Sequence, residues 1–304
     1  KKYKGKINLI FTSPPFDLIH HKKYGNEKGE NYIKWLTQFS QPLADLLTED
    51  GSIVIELGNS WEKGFPTVST VPMEALLEFK KKSNLHLCQE FICHNPARLP
   101  GPAKWVTVNR IRVKYSFTRL WWLSKTPYPK SDNSQVLVKY SNSMRNKMKS
   151  GNVNPGKRPS GHNITDNFLK NNEGSISPNF LNLFNGEFMF EDMENSLAIS
   201  NTFNQQTYNN FCEKNELQRH PARMQIGLTE YFVRFLTNEN DIVFDPFSGS
   251  NTTGMVSEVL KRKWISCEQN LDYIKGSLIR FFNEDKSRNI IKKMAGNSVS
   301  EMEK

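Results

Sequence analysis

Three stretches of this sequence predict an α/β fold: a doubly wound, mostly parallel sheet with an antiparallel edge strand and a loop-rich insertion. Near the start, the apolar run Ile7–Phe11 reads as a buried strand, and a helical pattern and a second apolar strand, Ser52–Leu57, follow it. A strand, a helix and a strand joined this way form a βαβ unit with parallel neighbours. Near the end, Asp241–Asp245 is an apolar strand that runs through a glycine-bearing turn into a helix and another strand. Between them, residues 127–219 turn rich in Asn, Ser, Gly and Lys.

The bulk composition sets limits. A chain of 304 residues is long for one domain and suits one α/β domain carrying a large insertion. Lys and Arg number 41 against 31 Asp and Glu, a formal net charge of +10, which favours a polyanionic partner such as nucleic acid. Four cysteines, no signal peptide and no apolar stretch near ~18 residues predict a soluble protein of a reducing, cytoplasmic compartment with no membrane partner. His86, Cys88, Cys93 and His94 raise the question of zinc. They lie in a strand-like run and no C-x-x-C occurs, so no metal site is expected. The chain opens at Lys1 and enters a strand at once, so residues upstream of Lys1 are expected.

The first strand ends in Phe11-Thr12-Ser13-Pro14-Pro15-Phe16. Two prolines fix φ near about −65° and remove two N–H donors, so a carbonyl in this loop can point outward with no donor of its own chain close by. With the Ser13 hydroxyl and the Phe16 ring, the loop offers two hydrogen-bond acceptors and a stacking face. That set suits an exocyclic amino group on a planar heterocycle, although a Pro-Pro turn ending in a core Phe would read the same way. The polar run His20–Gly29 predicts a mobile loop beside it. Tyr32–Leu47 has helical spacing, Glu49-Asp50-Gly51 ends it, and Ser52–Leu57 is the next strand. Glu56 then falls near that strand's carboxyl end, on the edge shared with Ser13, where open α/β sheets bind ligands.

A helix over Val71–Lys82, a strand over Leu87–Cys93 and a rigid loop over Asn95–Pro102 follow. Arg110–Tyr115 alternates basic and apolar residues and carries Arg112 and Lys114. Leu120–Leu123 reads as a strand buried on both faces. No long helix fits before it, which predicts an antiparallel excursion at the sheet edge.

The insertion carries basic clusters at Arg145-Asn146-Lys147-Met148-Lys149 and Gly156-Lys157-Arg158-Pro159, and the aromatics Phe168, Phe180, Phe184, Phe188, Phe190 and Phe203. Arg145, Lys147, Lys157 and Arg158, with Arg112 and Lys114, are the candidate phosphate contacts of a nucleic-acid-binding segment. Charges that only keep a loop-rich region in solution would look similar. After it, Ile226, Leu228, Tyr231, Phe232, Phe235 and Leu236 repeat at helical spacing. The strand ending at Asp245 leads through Pro246-Phe247-Ser248-Gly249 to a helix over Met255–Leu260. Backbone N–H groups at that helix start, with the side chains of Ser250, Asn251, Thr252 and Thr253, form a cradle for an anionic group. The stretch is neither a phosphate-binding P-loop nor G-x-G-x-x-G. Glu268 ends the strand that starts at Lys263, 23 residues after Asp245. That spacing fits a carboxylate on the ribose hydroxyls of a nucleoside-type cofactor, though an acid ending a strand is commonplace.

Taken in order, Ser13-Pro14-Pro15-Phe16, then Asp245 to Gly254, then Glu268 resemble the amino-methylating DNA methyltransferases of the β order. In that order the catalytic motif comes first, the target-recognition region second and the cofactor loop last. Within the family the chain resembles the PvuII-type cytosine-N4 methyltransferases of restriction–modification systems. Ile111–Lys114, Trp121–Thr126, Arg158–His162 and His220–Arg223 extend the match over nearly the whole chain.

The resemblance implies an S-adenosylmethionine-dependent methyltransferase fold. Residues 1–126 would be its catalytic half, 127–219 the target-recognition insertion and 220–304 the cofactor-binding half. It implies S-adenosylmethionine as methyl donor, with Asp245, Phe247, Gly249, Ser250, Asn251, Thr252, Thr253 and Glu268 around it. Double-stranded DNA would be the substrate, and a cognate restriction endonuclease would act on the same site. Ser at position 13, where adenine-N6 members usually carry Asp or Asn, implies cytosine N4 as the target. It assigns the catalytic set Ser13, Pro14, Pro15, Phe16 and Glu56. The Ser13 oxygen and the Pro14 carbonyl would take the amino hydrogens, Phe16 would stack on the extruded ring, and Glu56 would accept from the Ser13 hydroxyl where relatives carry the shorter Asp.

Two departures stand out. A Gly-Asp-Ser stretch that relatives carry upstream of the catalytic strand is absent, so either the chain is incomplete or its adenine pocket is built differently. Met224-Gln225 also follows His220–Arg223 where Phe-Pro is usual, which leaves the entry geometry of that helix open. Adenine-N6 methylation, methylation of a protein or RNA amide or amine, and a non-catalytic DNA-binding relative remain alternatives. The methyltransferase reading requires the Pro-Pro loop and the glycine-bearing loop to face each other across one cleft.

Overall fold

The computed structural model describes residues 2–17, 27–151, 156–157, 159–161, 163–164, 169–182 and 205–296. In chain order come β1 (Ile7–Thr12), α1 (Gly29–Thr37), α2 (Ser40–Leu46), β2 (Leu47–Leu57), α3 (Val71–Lys82), β3 (His86–His94) and β4 (Phe117–Ser124). The middle of the chain holds α4 (Asn142–Ser150), β5 (Gly156–Lys157), β6 (Asn163–Ile164), β7 (Phe180–Asn182) and α5 (Gln205–Lys214). The last part is α6 (Ile226–Leu236), β8 (Ile242–Asp245), α7 (Thr252–Val259), β9 (Lys263–Ser266), α8 (Leu271–Ser277) and α9 (Glu284–Gly296).

Seven strands form one sheet in the order β7-β3-β4-β2-β1-β8-β9. Its pairings are parallel except those of β4, which runs antiparallel between β2 and β3. The doubly wound, mostly parallel sheet is therefore present. Its antiparallel strand, β4, lies inside the sheet and not at its edge because β3 pairs along its outer side, and the short β7 pairs beyond β3.

Alternation along the strands sends apolar side chains to both faces, which is why helices cover both. On one face Leu9, Phe11, Val54 and Trp122 pack against α6 and α7 through Leu228, Phe232, Phe235 and Met255. On the other, Ile10, Ile53, Ile55 and Leu123 pack against Tyr32, Leu36, Leu43 and Phe79 of α1, α2 and α3. Phe232 is fully buried between Phe11 and Phe91, with ring centroids at 5.4 and 5.0 Å. Phe232→Ala is expected to lower unfolding free energy by about 3–5 kcal/mol, measured by urea titration.

The helix expected over Tyr32–Leu47 is two helices, α1 and α2, split at Gln38-Phe39. Pro42 lies in the first turn of α2, where its missing N–H costs nothing, whereas a continuous helix would clash its ring with the carbonyl of Gln38. β2 starts at Leu47, earlier than expected, because Leu47 already pairs with Ile7 ahead of a break in register. α7 begins at Thr252 rather than Met255, with Asn251 as its cap. The middle segment is also more regular than its composition suggests. Val136 and Leu181 join the sheet core, and Tyr208, Phe211 and Cys212 of α5 are buried, with α5 packed on α8. Residues 20–26 of the expected mobile loop, Arg158, His162 and the aromatics Phe168, Phe184, Phe188, Phe190 and Phe203 lie outside the described residues.

Candidate active site

The two focal loops leave the same sheet edge from neighbouring strands. Leu9 and Ile10 of β1 pair in parallel with Val243 and Phe244 of β8, which is the strand adjacency a switch-point crevice needs. One carboxylate ties the loops together. Asp245 Oδ1 accepts from the Thr12 hydroxyl at 2.7 Å and from the Phe247 N–H at 3.1 Å, and Oδ2 accepts from the Thr253 hydroxyl at 2.7 Å. Asp245 is 3% exposed, and burial pushes its carboxyl up to about 6 against those three donors. Three of its lone pairs are engaged inside the protein, so Asp245 braces the two loops.

On the catalytic side, Pro14 is buried, while Ser13, Pro15 and Phe16 are half-buried at the cleft. Glu56 accepts hydrogen bonds from the Ser13 and Thr118 hydroxyls. Burial raises its carboxyl above the usual range, and the Arg98 guanidinium acts in the opposite direction. The same pocket is lined by Arg98, Thr118, Arg223 and Gln225 beside Glu56. The Phe16 ring lies on the backbone of Gly58, where an added Cβ would stand 2.4 Å from Phe16 Cδ2. Gly58, Thr118 and Arg98 have no motif of their own: Thr118 lies on β4, Gly58 follows β2 and Arg98 follows β3, and only their closeness to Phe16 and Glu56 marks them.

The glycine-bearing loop is held from three sides. Gly249 has φ +53°, and a Cβ there would stand 2.9 Å from His220 Nε2, so both backbone and space require glycine. Its N–H donates to Glu268 Oε2 at 2.8 Å, while Glu268 Oε1 accepts from the Asn270 N–H at 2.8 Å. Each of these oxygens keeps a second lone pair. Asn251, also left-handed, accepts from Gly254 N–H at 3.1 Å and from the Ser266 hydroxyl at 2.7 Å. Arg280 donates to the Ser250 carbonyl at 2.6 Å and to its hydroxyl at 3.1 Å. Phe247 packs on Trp35 of α1 and on Phe39 at the start of α2, with centroids at 5.6 and 5.3 Å. The Thr252 hydroxyl, at the start of α7, is buried and has no hydrogen-bond partner among the described residues. An orphaned hydroxyl beside the free N–H groups of a helix start fits an anionic group such as a carboxylate.

Of the basic residues, Arg112 donates to the Pro66 carbonyl at 2.9 Å and Lys114 to the Pro96 carbonyl at 2.8 Å, so both also brace the β3–β4 connection. Arg145 and Lys147 stand exposed on α4, whose first turn is capped by Ser141, and Lys157 is exposed on β5.

Comparison with known proteins gives the family of the chain. A family model described as DNA methylase matches residues 7–279. The type II methyltransferase M.PvuII of Proteus hauseri is 38% identical over 92% of this chain and 79% of its own length. The orphan methyltransferase M.BamHII of Bacillus amyloliquefaciens is 26% identical over 88% of this chain and 85% of that protein. A solved structure described as PvuII DNA methyltransferase (cytosine-N4-specific) superposes with a TM-score of 0.71 at 32% identity, covering 97% of this chain and 88% of that one.

Proposed function

The chain belongs to the DNA methylase family, and from that premise we propose that it methylates the exocyclic N4 amino group of a cytosine extruded from duplex DNA. The observation that carries this reading is the Ser13–Glu56 hydrogen bond, set on the edge that the Thr12–Asp245 bond closes against the glycine-bearing loop. The relative with the printed specificity cytosine-N4 supports the choice of base.

S-adenosylmethionine, when bound, supplies a methyl group made electrophilic by its sulfonium. The start of α7 with Thr252 would hold its carboxylate, and Glu268 its ribose hydroxyls. The chemical difficulty is that the lone pair of the cytosine amino nitrogen is delocalised into the ring. Ser13 donates its own hydrogen to Glu56, which leaves the Ser13 oxygen as an acceptor for one amino hydrogen. The Pro14 carbonyl takes the other. Two acceptors on one amino group favour its pyramidal form, which frees the lone pair as the transition state develops. The nitrogen would take the methyl as the sulfonium C–S bond breaks, and would then give up one of its two hydrogens as a proton. Phe16, backed by Gly58, stacks on the extruded ring. A cysteine nucleophile has no part, and burial pushes the Cys93 thiol up to about 12. Arg145, Lys147 and Lys157, with Arg112, Lys114 and Arg158, would meet phosphates. A cognate restriction endonuclease acting on the same site would complete the system without a direct complex.

Duplex DNA incubated with methyl-labelled S-adenosylmethionine and digested to nucleosides tests the reading. N4-methylcytosine is expected. N6-methyladenine as the product, or turnover that ignores duplex DNA, would overturn it. Two further results follow from the site. Because the Glu56 carboxyl is raised, kcat should fall with falling pH above the ordinary carboxylate range, as protonation removes the acceptor for the Ser13 hydroxyl. Glu56→Gln should lower kcat at neutral pH and flatten that limb in a pH–rate profile. Gly58→Ala should push Phe16 off its seat and raise KM for duplex about tenfold in steady-state assays, because base stacking of this kind is worth ~1–3 kcal/mol.

A further inference from the structure

The connection between β3 and β4, residues 95–116, carries Arg98, Lys104, Arg110, Arg112 and Lys114 and no Asp or Glu. It starts and ends at the sheet edge that holds Glu56, so an acid-free basic loop stands beside the catalytic cleft. Close to where this connection leaves β3, Leu99 is 84% exposed, next to the inward-turned Arg98. The backbone beneath it is stiff. Pro96, Pro100 and Pro102 restrict it, Lys114 clamps the Pro96 carbonyl at 2.8 Å and the Arg98 carbonyl at 3.4 Å, and the Arg98 N–H donates to the Asn95 carbonyl at 3.2 Å. Arg98 itself turns inward, donating to the Phe117 carbonyl at 3.0 Å and lining the pocket with Glu56. Val108 and Val113 are also exposed on this loop, but Leu99 is next in the chain to a pocket-lining residue.

We propose that Leu99 is the wedge that enters the duplex where the target nucleotide leaves it. This rests on the DNA methyltransferase reading above. Extruding a base leaves its neighbours without a stacking partner, and a rigid apolar side chain that fills the gap holds the base out at low entropic cost. Leu99 takes no part in the transfer itself.

The test uses a duplex carrying the methylated site mapped by sequencing plasmid DNA exposed to the enzyme. It is made in two forms, with the target cytosine paired to guanine or facing an abasic position. Leu99→Ala is expected to lower kcat/KM about tenfold on the paired duplex and less than about twofold on the abasic one, where little is left to break. Leu99→Met should retain activity on both. Leu77→Ala, truncating another leucine that is 59% exposed on α3, should change neither. An equal loss on both duplexes, or no loss on the paired one, overturns the wedge while leaving methyl transfer intact. An inactive wild-type enzyme on both duplexes would instead remove the reading beneath it.

Discussion

Ser13→Ala should lower kcat by about 10²–10³-fold, the usual cost of deleting one hydrogen-bonding group aimed at a developing charge. The affinity for S-adenosylmethionine, measured by calorimetry on the same variant, should stay close to wild type, because among the described residues the Ser13 hydroxyl bonds to Glu56 and the glycine-bearing loop is held by Thr12, Glu268 and Arg280. The hydroxyl has two roles that alanine removes together. It is one of two acceptors for the amino group, and it is a donor to the buried Glu56 carboxylate. Losing that donor leaves Glu56 with Thr118 and raises its carboxyl further, so the acid limb of the residual activity should move to higher pH. Ser13→Thr, which keeps the hydroxyl, should recover part of the rate. Equal losses in turnover and cofactor affinity would contradict the assignment.

Asp245→Ala should produce a structural effect as large as that of Phe232→Ala, a loss of about 3–5 kcal/mol in unfolding free energy, because it breaks a buried network and leaves donors without a partner. Three donors are stranded at once: the hydroxyls of Thr12 and Thr253 and the N–H of Phe247. Since these belong to both loops, cofactor affinity should fall as well. A double-mutant cycle separates bracing from general damage. Thr12→Val should cost less in the Asp245→Ala background than in wild type, with a coupling of about 1–3 kcal/mol in urea titrations. Additive single effects would show that the Thr12–Asp245 bond links the loops in geometry and not in energy.

Much of the site was legible because its chemistry is concentrated in short runs. Ser13-Pro14-Pro15-Phe16 and the stretch from Asp245 to Gly254 each carry turn chemistry that a single loop expresses by itself. Placing Glu56 near the end of a parallel strand was enough to put it on Ser13's edge. Pro42 is a sequence signal too, and a strict reading of it predicts the break between α1 and α2. Residues whose role comes from a neighbour in space left no such trace. Thr118 reaches Glu56 only because β4 runs antiparallel beside β2, and Gly58 matters only because Phe16 lies on it. α5 hides in a segment of polar composition since its few apolar residues, Tyr208, Phe211 and Cys212, all face one way.

By itself the sequence determined what each short segment would be: apolar runs become strands, prolines and glycines set the turns, and helical spacing sets the covering layers. Those are properties of neighbours in the chain, fixed by sterics and by burial on one face. Only the tertiary structure decided that Thr12 and Asp245, separated by 233 positions, share a hydrogen bond that ties the two loops together. Which distant groups meet depends on the order of strands in the sheet, and that order minimises the exposed apolar area of the whole molecule, a quantity no local stretch contains.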